Sequence, residues 1–123
     1  MEKWLHSTSK INAKSIVESG FRIPKESGRF GRGVYFMNDL SFGYFGDTVI
    51  SVKVKCPVFR LTHSEICDIY SEYDLEPEEE GVVELEDYTK EKGFNAVEVI
   101  YKDGTSELVV YDVKYISDIC IVK

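Results

Sequence analysis

The stretch FNAVEVIYKDGTSELVVYD, residues 94–112, predicts two strands joined by a tight turn. β-Branched and aromatic residues dominate both arms, and the Asp103-Gly104 pair between them is a strong hairpin signal. The second arm contains the nearly unbroken apolar run 108–111, which is typical of a strand that is buried on both faces. We therefore expect strands at 94–101 and 106–112, with a turn at 102–105.

Outside this hairpin the pattern predicts an α+β fold of about six strands, mostly hairpin-linked toward the C-terminus, with short peripheral helices. Alternation from Val49 to Lys55 predicts a half-buried strand that continues past Pro57 through residues 59–61. Asn12 is the predicted N-cap of the first helix, in which Ile16 and Val17 would face the core. The other strands are expected at 2–6, from 34 onward and at 116–122, and the helices at 12–19, 39–44, 65–73 and 82–92, all within one domain, 1–123.

The composition excludes several classes of protein. The 123 residues are 43% apolar and 30% charged, as in a soluble globular domain. No apolar run approaches the roughly 20 residues that cross a bilayer, and residues 1–10 lack the apolar core of a secretory signal, so we expect a cytoplasmic protein with no membrane partner. The cysteines, Cys56, Cys67 and Cys120, form no C-x-x-C pair, so we expect buried, inert thiols with neither a disulfide framework nor a metal site.

The net charge of −7 is unevenly distributed along the chain. The acidic band 65–91 holds twelve Asp and Glu against one basic residue, Lys90, whereas residues 1–60 hold ten Lys and Arg against five acids. The acidic total argues against duplex nucleic acid as an obligatory partner, because neutralising phosphates requires clustered cations. The basic half leaves room for one small anionic ligand.

Three side chains lie at positions where either a catalytic or binding role or a purely structural role is possible. His6 ends the first strand before a run of small hydroxyl residues, Tyr35 follows the glycine-rich loop GRFGRG (28–33), and Glu107 begins a buried strand. A carboxylate at the mouth of such a strand is costly unless it meets a cation or has a function. Each also has a plain structural interpretation: a strand-end histidine, a core tyrosine and a solvated glutamate beside a turn.

The chain resembles ADP-ribosyltransferases of the diphtheria-toxin and poly-ADP-ribose-polymerase class in three stretches. LHSTSKINAKSIVESGF (5–21), GRFGRGVYFMNDLSFGYFG (28–46) and SELVVYD (106–112) are similar to the family's His-Gly-Thr on strand one, its G-x-G-[IV]-Y-F segment and its late strand that begins with glutamate. The resemblance covers most of residues 4–46 and 93–122. It implies the small split-sheet fold of that family.

The resemblance implies roles for the matched residues, with NAD⁺ as co-substrate and no metal. His6 would bind a ribose hydroxyl, and Tyr35 would lie on one face of the nicotinamide ring. Glu107 would accept a hydrogen bond from the 2′-hydroxyl of the nicotinamide ribose. Ser7, which stands where the family usually has glycine, would hold the nicotinamide carboxamide through its backbone, beside Thr8.

Further residues would complete the NAD⁺ site. Tyr44 or Phe45 would cover the second face of the nicotinamide ring, and Ser41 would help to bind the carboxamide. Gly33 and the other glycines of the glycine-rich loop would let the backbone approach the dinucleotide. The cations expected to offset its diphosphate are Arg22, Lys25, Arg29 and Arg32.

The expected reaction is cleavage of the nicotinamide–ribose bond and transfer of one ADP-ribose to a macromolecular acceptor, either protein or nucleic acid. One carboxylate suffices, because bond breaking builds positive charge on the sugar and nicotinamide is a good leaving group. The arginine-modifying class is disfavoured, since it uses a glutamate where this chain has Thr105. The alternatives are a non-catalytic module that binds NAD⁺ or ADP-ribose, and a module that binds a basic partner through the acidic band.

Overall fold

The computed structural model describes residues 3–25, 28–39, 46–72 and 84–122, and these form an α+β domain of seven strands, three α-helices and one 3₁₀ turn. The strands are β1 (Lys3–Thr8), β2 (Val34–Met37), β3 (Thr48–Val54), β4 (Phe59–Thr62), β5 (Ala96–Ile100), β6 (Ser106–Val110) and β7 (Ile116–Ile121). The helices are α1 (Lys10–Ser19), α2 (His63–Glu72) and α3 (Glu84–Glu91), and the 3₁₀ turn is Val113–Tyr115. The predicted class is confirmed. The predicted helix at 39–44 and the residues Ser41, Tyr44 and Phe45 lie outside the described residues.

The seven described strands form one mixed sheet in the order β4-β5-β6-β2-β1-β3-β7. The hairpin of β5 and β6 is confirmed, with Gly104 at φ +87° in its turn. The expected hairpin linkage is wrong for β7, which crosses to the far edge and pairs with β3. The segment 59–61 is also not a continuation of β3. Beyond Pro57, which has no N–H to donate, it forms β4, which pairs in parallel with β5 and adds one strand to the expected six.

Each face of the sheet has its own apolar cluster. The first cluster includes Ala13 of α1, and we call the face that it covers the α1 face. The second cluster includes Ile66 of α2 and Leu85 of α3, and we call its face the α2–α3 face. β6 contributes to both, because Leu108 belongs to the first cluster and Val109 to the second. The prediction that this strand is buried on both faces is therefore confirmed.

β1 and β2 meet over a short length. They share a single registered pair, Leu5 with Met37, whereas β1 pairs with β3 along its whole length from Lys3 to Thr8. Because no further register joins β1 to β2 among the described residues, the two strands separate beyond Leu5. We call this gap the opening of the sheet, and the β1–β2 pairing beside it is the shortest between neighbouring strands of the described sheet.

Several local predictions need correction. Ser9, not Asn12, caps α1, because its hydroxyl accepts the Asn12 N–H at 3.2 Å. The helix starts at Lys10, two residues earlier than expected, and Ala13 is its buried residue. Ile16 packs against the α1-face cluster as predicted, whereas Val17 is 44% exposed. β3 is not half-buried: it is an inner strand between β1 and β7 with α1 packed against it, and six of its seven residues are buried.

The cysteines differ in burial. Cys56 is buried as expected, and burial raises the pKa of its thiol. Cys67 is only partly buried and Cys120 is exposed, so the expectation of buried, inert thiols is wrong for Cys120. It lies near the end of β7, an edge strand whose outer side no described strand covers.

Candidate active site

Glu107 lies near the start of β6, an inner strand of the sheet. Its cross-strand neighbour on β2 is Met37. The next residue, Asn38, fixes the start of β6, since its side-chain oxygen accepts the Ser106 N–H at 2.9 Å and its N–H donates to the Ser106 carbonyl at 3.2 Å. Glu107 is therefore held by regular backbone structure on both sides, not by a loose loop.

The carboxylate of Glu107 is partly buried and has two polar neighbours. The Tyr101 hydroxyl donates to its Oε1 at 3.2 Å. Burial raises the pKa of Glu107, and the Tyr101 hydrogen bond and the positive charge of Arg29 offset only part of that effect. Burial, with the negative charge of Glu107, raises the pKa of Tyr101 to about 12, so the phenol stays protonated and can donate.

Tyr35 points to the same face of the sheet as Glu107. Tyr35 and Met37 are two residues apart on β2, and Met37 lies opposite Glu107. The Tyr35 hydroxyl donates to the Gly31 carbonyl and accepts the Phe30 N–H, both at 2.8 Å. Burial raises the pKa of Tyr35, the hydrogen bond from Phe30 opposes this, and the charge of Glu107 adds to it. The phenol is thus neutral and tied to the glycine-rich loop.

The glycines of this loop pack against the protein itself. A Cβ at Gly28 would lie 2.8 Å from the Tyr35 hydroxyl oxygen, and one at Gly31, where φ is +107°, would lie 2.7 Å from Cβ of Glu86. A Cβ at Gly33 would lie 2.7 Å from atoms of β6. The glycines therefore leave room for the protein's own atoms, whereas the resemblance assigned that space to a dinucleotide.

Side chains from several elements hold the loop backbone. Tyr70 donates its hydroxyl to the Arg29 carbonyl at 2.9 Å, and Tyr111 donates to the Phe30 carbonyl at 2.6 Å. Phe30 itself is fully buried in the α2–α3 cluster. With its backbone groups and its central side chain engaged, the loop is a fixed wall above Tyr35 rather than a free flap.

Glu86 anchors the same loop from the acidic band. Its carboxylate accepts the Arg32 N–H at 2.8 Å and the Lys90 ammonium at 2.7 Å, and the residue is only 2% exposed. Burial acts to raise the pKa of Glu86, but the hydrogen bonds from Lys90 and Arg32 outweigh it and lower the pKa overall. Part of the acidic band is therefore internal, and Arg32 is engaged with Glu86.

His6 lies on the other face. Its ring packs edge-on against Phe21 and Phe36, at centroid distances of 5.2 and 5.7 Å, within the α1-face cluster. Its Nδ1 is 2.8 Å from the Tyr35 carbonyl oxygen. Because a carbonyl only accepts, Nδ1 carries the proton, and in the neutral ring Nε2 is left as an acceptor. His6 thus bridges β1 to β2 at the point where their backbone pairing stops.

A cavity of about 530 Å³ opens between the separated strands. Of the residues expected at the NAD⁺ site, it is lined by His6, Thr8, Arg22, Gly33 and Tyr35. Polar residues that the sequence reasoning did not assign to a ligand also line it: Asn12, Ser15 and Ser19 of α1. Their spacing places them on one side of the helix, and such a polar stripe is the signal that could have identified them.

A second cavity, of about 670 Å³, is lined by Tyr101, the residue whose hydroxyl contacts Glu107. Its walls are the end of β4, the first turns of α2, and the end of β5 with the following turn: Thr62, His63, Ser64, Cys67, Asp68, Ile100, Tyr101, Lys102 and Asp103. The His63 and Tyr101 rings are 5.3 Å apart between centroids, and His63 Nδ1 is 3.9 Å from the Cys67 sulfur. Sequence reasoning gave His63 no role beyond starting a helix.

The structure brings the expected residues together in two groups. Tyr35, Arg29 and Glu107 belong to the α2–α3 side, while His6, Thr8, Arg22 and Gly33 line the cavity on the α1 side, which Tyr35 also borders. The two groups meet through the His6 contact with the Tyr35 backbone. Ser7 is buried on β1 opposite Val49 of β3.

The described part of the chain contains no group of three or more His, Cys, Asp and Glu residues that could hold a metal ion. Among the same residues, no helix has both the length and the apolar character needed to cross a membrane. Comparisons of the sequence with protein-family models and with curated proteins gave no match.

Proposed function

We propose that the protein is a mono-ADP-ribosyltransferase that cleaves NAD⁺ at the nicotinamide–ribose bond and transfers ADP-ribose to a macromolecular acceptor. The observation that carries the proposal is the placement of His6, Tyr35 and Glu107 on three neighbouring strands, β1, β2 and β6, where His6 contacts the backbone of Tyr35 and the Tyr35 side chain lies near Glu107. These are the three residues that the family resemblance selects. The opening supports the proposal, because the resemblance implies a divided sheet.

Glu107 supplies the charge that the reaction needs. As the bond to nicotinamide breaks, positive charge develops on the ribose, and a fixed carboxylate beside it stabilises that state more than it stabilises the neutral sugar. The partly buried setting strengthens this interaction, because fewer waters screen it. The acid form of Glu107 would lack the charge, so activity should fall as the pH drops through its raised pKa.

The cavity beside His6 suits the nucleotide end of the substrate. Its volume of about 530 Å³ lies within the range of about 300–1,000 Å³ that is usual for small-molecule sites. Asn12, Ser15 and the Nε2 acceptor of His6 can hydrogen-bond ribose hydroxyls, and Arg22 on the cavity wall can offset a phosphate. The opening between β1 and β2 lets the nicotinamide end reach the face that carries Tyr35 and Glu107.

The direct test measures free nicotinamide from NAD⁺ with the wild-type protein and with Glu107→Gln. We expect release by the wild type and a loss of a hundredfold or more in the variant, equivalent to about 3 kcal/mol of transition-state stabilisation. Glu98→Gln is the matched control. Glu98 is a buried glutamate on the neighbouring strand β5, where it binds Arg60 at 3.0 Å, and its cross-strand partner Leu108 belongs to the α1 face.

Two outcomes would replace this proposal. Thermal stabilisation by NAD⁺ without nicotinamide release would indicate a binding module. Neither release nor stabilisation would leave the acidic band as the working surface, in contact with a basic partner. Release that survives in Glu107→Gln would contradict the role given to that carboxylate.

A further inference from the structure

Tyr101 separates Glu107 from the second cavity and is held in place at three points. Its backbone N–H donates to the Thr105 carbonyl at 2.9 Å, and its carbonyl accepts the Gly104 N–H at 3.1 Å, which closes the hairpin turn. Its ring packs on His63 of α2. Its hydroxyl donates to Oε1 of Glu107 at 3.2 Å. The backbone hydrogen bonds and the ring contact hold Tyr101 in place independently of Glu107.

The charged and titratable groups that face Glu107 differ in what they do to it. Tyr35, from β2, directs its hydroxyl to the glycine-rich loop backbone, and Arg29, from that loop, acts through its charge. Tyr101, from the end of β5, makes a hydrogen bond to the carboxylate itself. Of the described groups, it is the one whose geometry fixes a particular oxygen of Glu107.

We propose that Tyr101 is the positioning residue of the site: it holds Oε1 of Glu107 and so turns Oε2 toward the ribose of the substrate. The proposal rests on the function given above. A glutamate side chain has several free torsions, so a carboxylate held at one oxygen is restricted to few orientations. A donor to the charged form also favours the carboxylate over the acid, against the effect of burial.

Tyr101→Phe tests this with the smallest possible change, since the ring, its packing on His63 and the cavity wall all remain. We expect kcat for nicotinamide release to fall about tenfold, the effect of losing one hydrogen bond to a charged group, with KM for NAD⁺ unchanged. Tyr115→Phe is the control, because the Tyr115 hydroxyl makes no hydrogen bond among the described residues, and Tyr115, which packs against the α1-face cluster from the 3₁₀ turn, lines neither cavity.

A second readout does not depend on activity. Titration of the Glu107 carboxyl carbon by NMR, assigned with Glu107→Gln, should give a pKa about one pH unit higher in Tyr101→Phe than in the wild type. The acidic limb of the pH–rate profile should move in the same direction. An unchanged Glu107 pKa, or an unchanged kcat in an active protein, would overturn the positioning role. A raised pKa in a protein that releases no nicotinamide would retain the contact and overturn the proposed function.

Discussion

At the scale of the residue, the burial of Glu107 has a cost in stability at neutral pH. Its pKa is raised in the folded state, mainly by burial, so the folded protein binds its proton more tightly than the unfolded chain does. The contribution of this proton binding to the free energy of unfolding is therefore fully present below the pKa of about 4.3 that Glu107 has in the unfolded chain. It is lost as the pH rises through the pKa of Glu107 in the folded protein. A neutral residue of the same shape avoids this loss.

We therefore expect Glu107→Gln to raise the melting temperature at pH 7 by about 2–4 °C, and the gain to shrink as the pH falls toward 4. Differential scanning calorimetry at several pH values measures this. Glu98→Gln should show no gain, because Arg60 compensates the charge of Glu98. A lower melting temperature for Glu107→Gln at pH 7 would mean that the carboxylate stabilises the fold.

Individual side-chain contacts differ in whether the sequence could have predicted them. The contact of Tyr101 with Glu107 joins residues on either side of the predicted hairpin turn, so the D-G signal alone places them close together. The contact of Glu86 with the Arg32 backbone had no such signal. Glu86 is one of twelve acids in a band that looks solvated, and only tertiary packing makes this one internal.

At the scale of the element, the glycine-rich loop owes its shape to packing. Gly31 has a positive φ and also lies against Glu86, so a side chain there meets both backbone strain and a steric clash. Gly93 has a similar φ of +88° with nothing within 4 Å of an added Cβ. The two positions therefore separate the cost of strain from the cost of overpacking.

Gly31→Ala should lower the free energy of unfolding by about 1–3 kcal/mol more than Gly93→Ala, because overpacking adds to the strain that both share. Urea denaturation of the two variants gives the difference. Equal losses would show that the loop moves away from Glu86 easily, and that it is not the fixed wall described above.

At the scale of the whole molecule, local signals and long-range pairing differ in what they allow to be predicted. The β5–β6 hairpin followed from its turn, and the α+β class followed from the mixture of periods. The parallel pairing of β4 with β5 and the crossing of β7 to the far edge depend on contacts between distant segments, which no local pattern encodes. The opening between β1 and β2 depends on that topology. The polar residues Asn12, Ser15 and Ser19 of α1 could therefore be recognised as cavity residues only from the arrangement of the strands.

The arrangement of the whole molecule divides the site between the two faces of the sheet, with the cavity on the α1 face and the carboxylate on the other. Binding and chemistry should therefore respond to different variants.

Asn12→Ala removes a cavity side chain from α1 without harming its cap, which Ser9 provides, or its helical propensity. It should weaken the affinity for NAD⁺ by about fivefold, the value of one lost hydrogen bond, whereas Glu107→Gln should leave the affinity within a factor of about two. Isothermal titration calorimetry measures both, and Lys14→Ala, a change at an exposed position of the same helix, is the control. If Asn12→Ala binds NAD⁺ as the wild type does while Glu107→Gln does not, the nucleotide lies on the α2–α3 face, and the opening between β1 and β2 has no part in binding it.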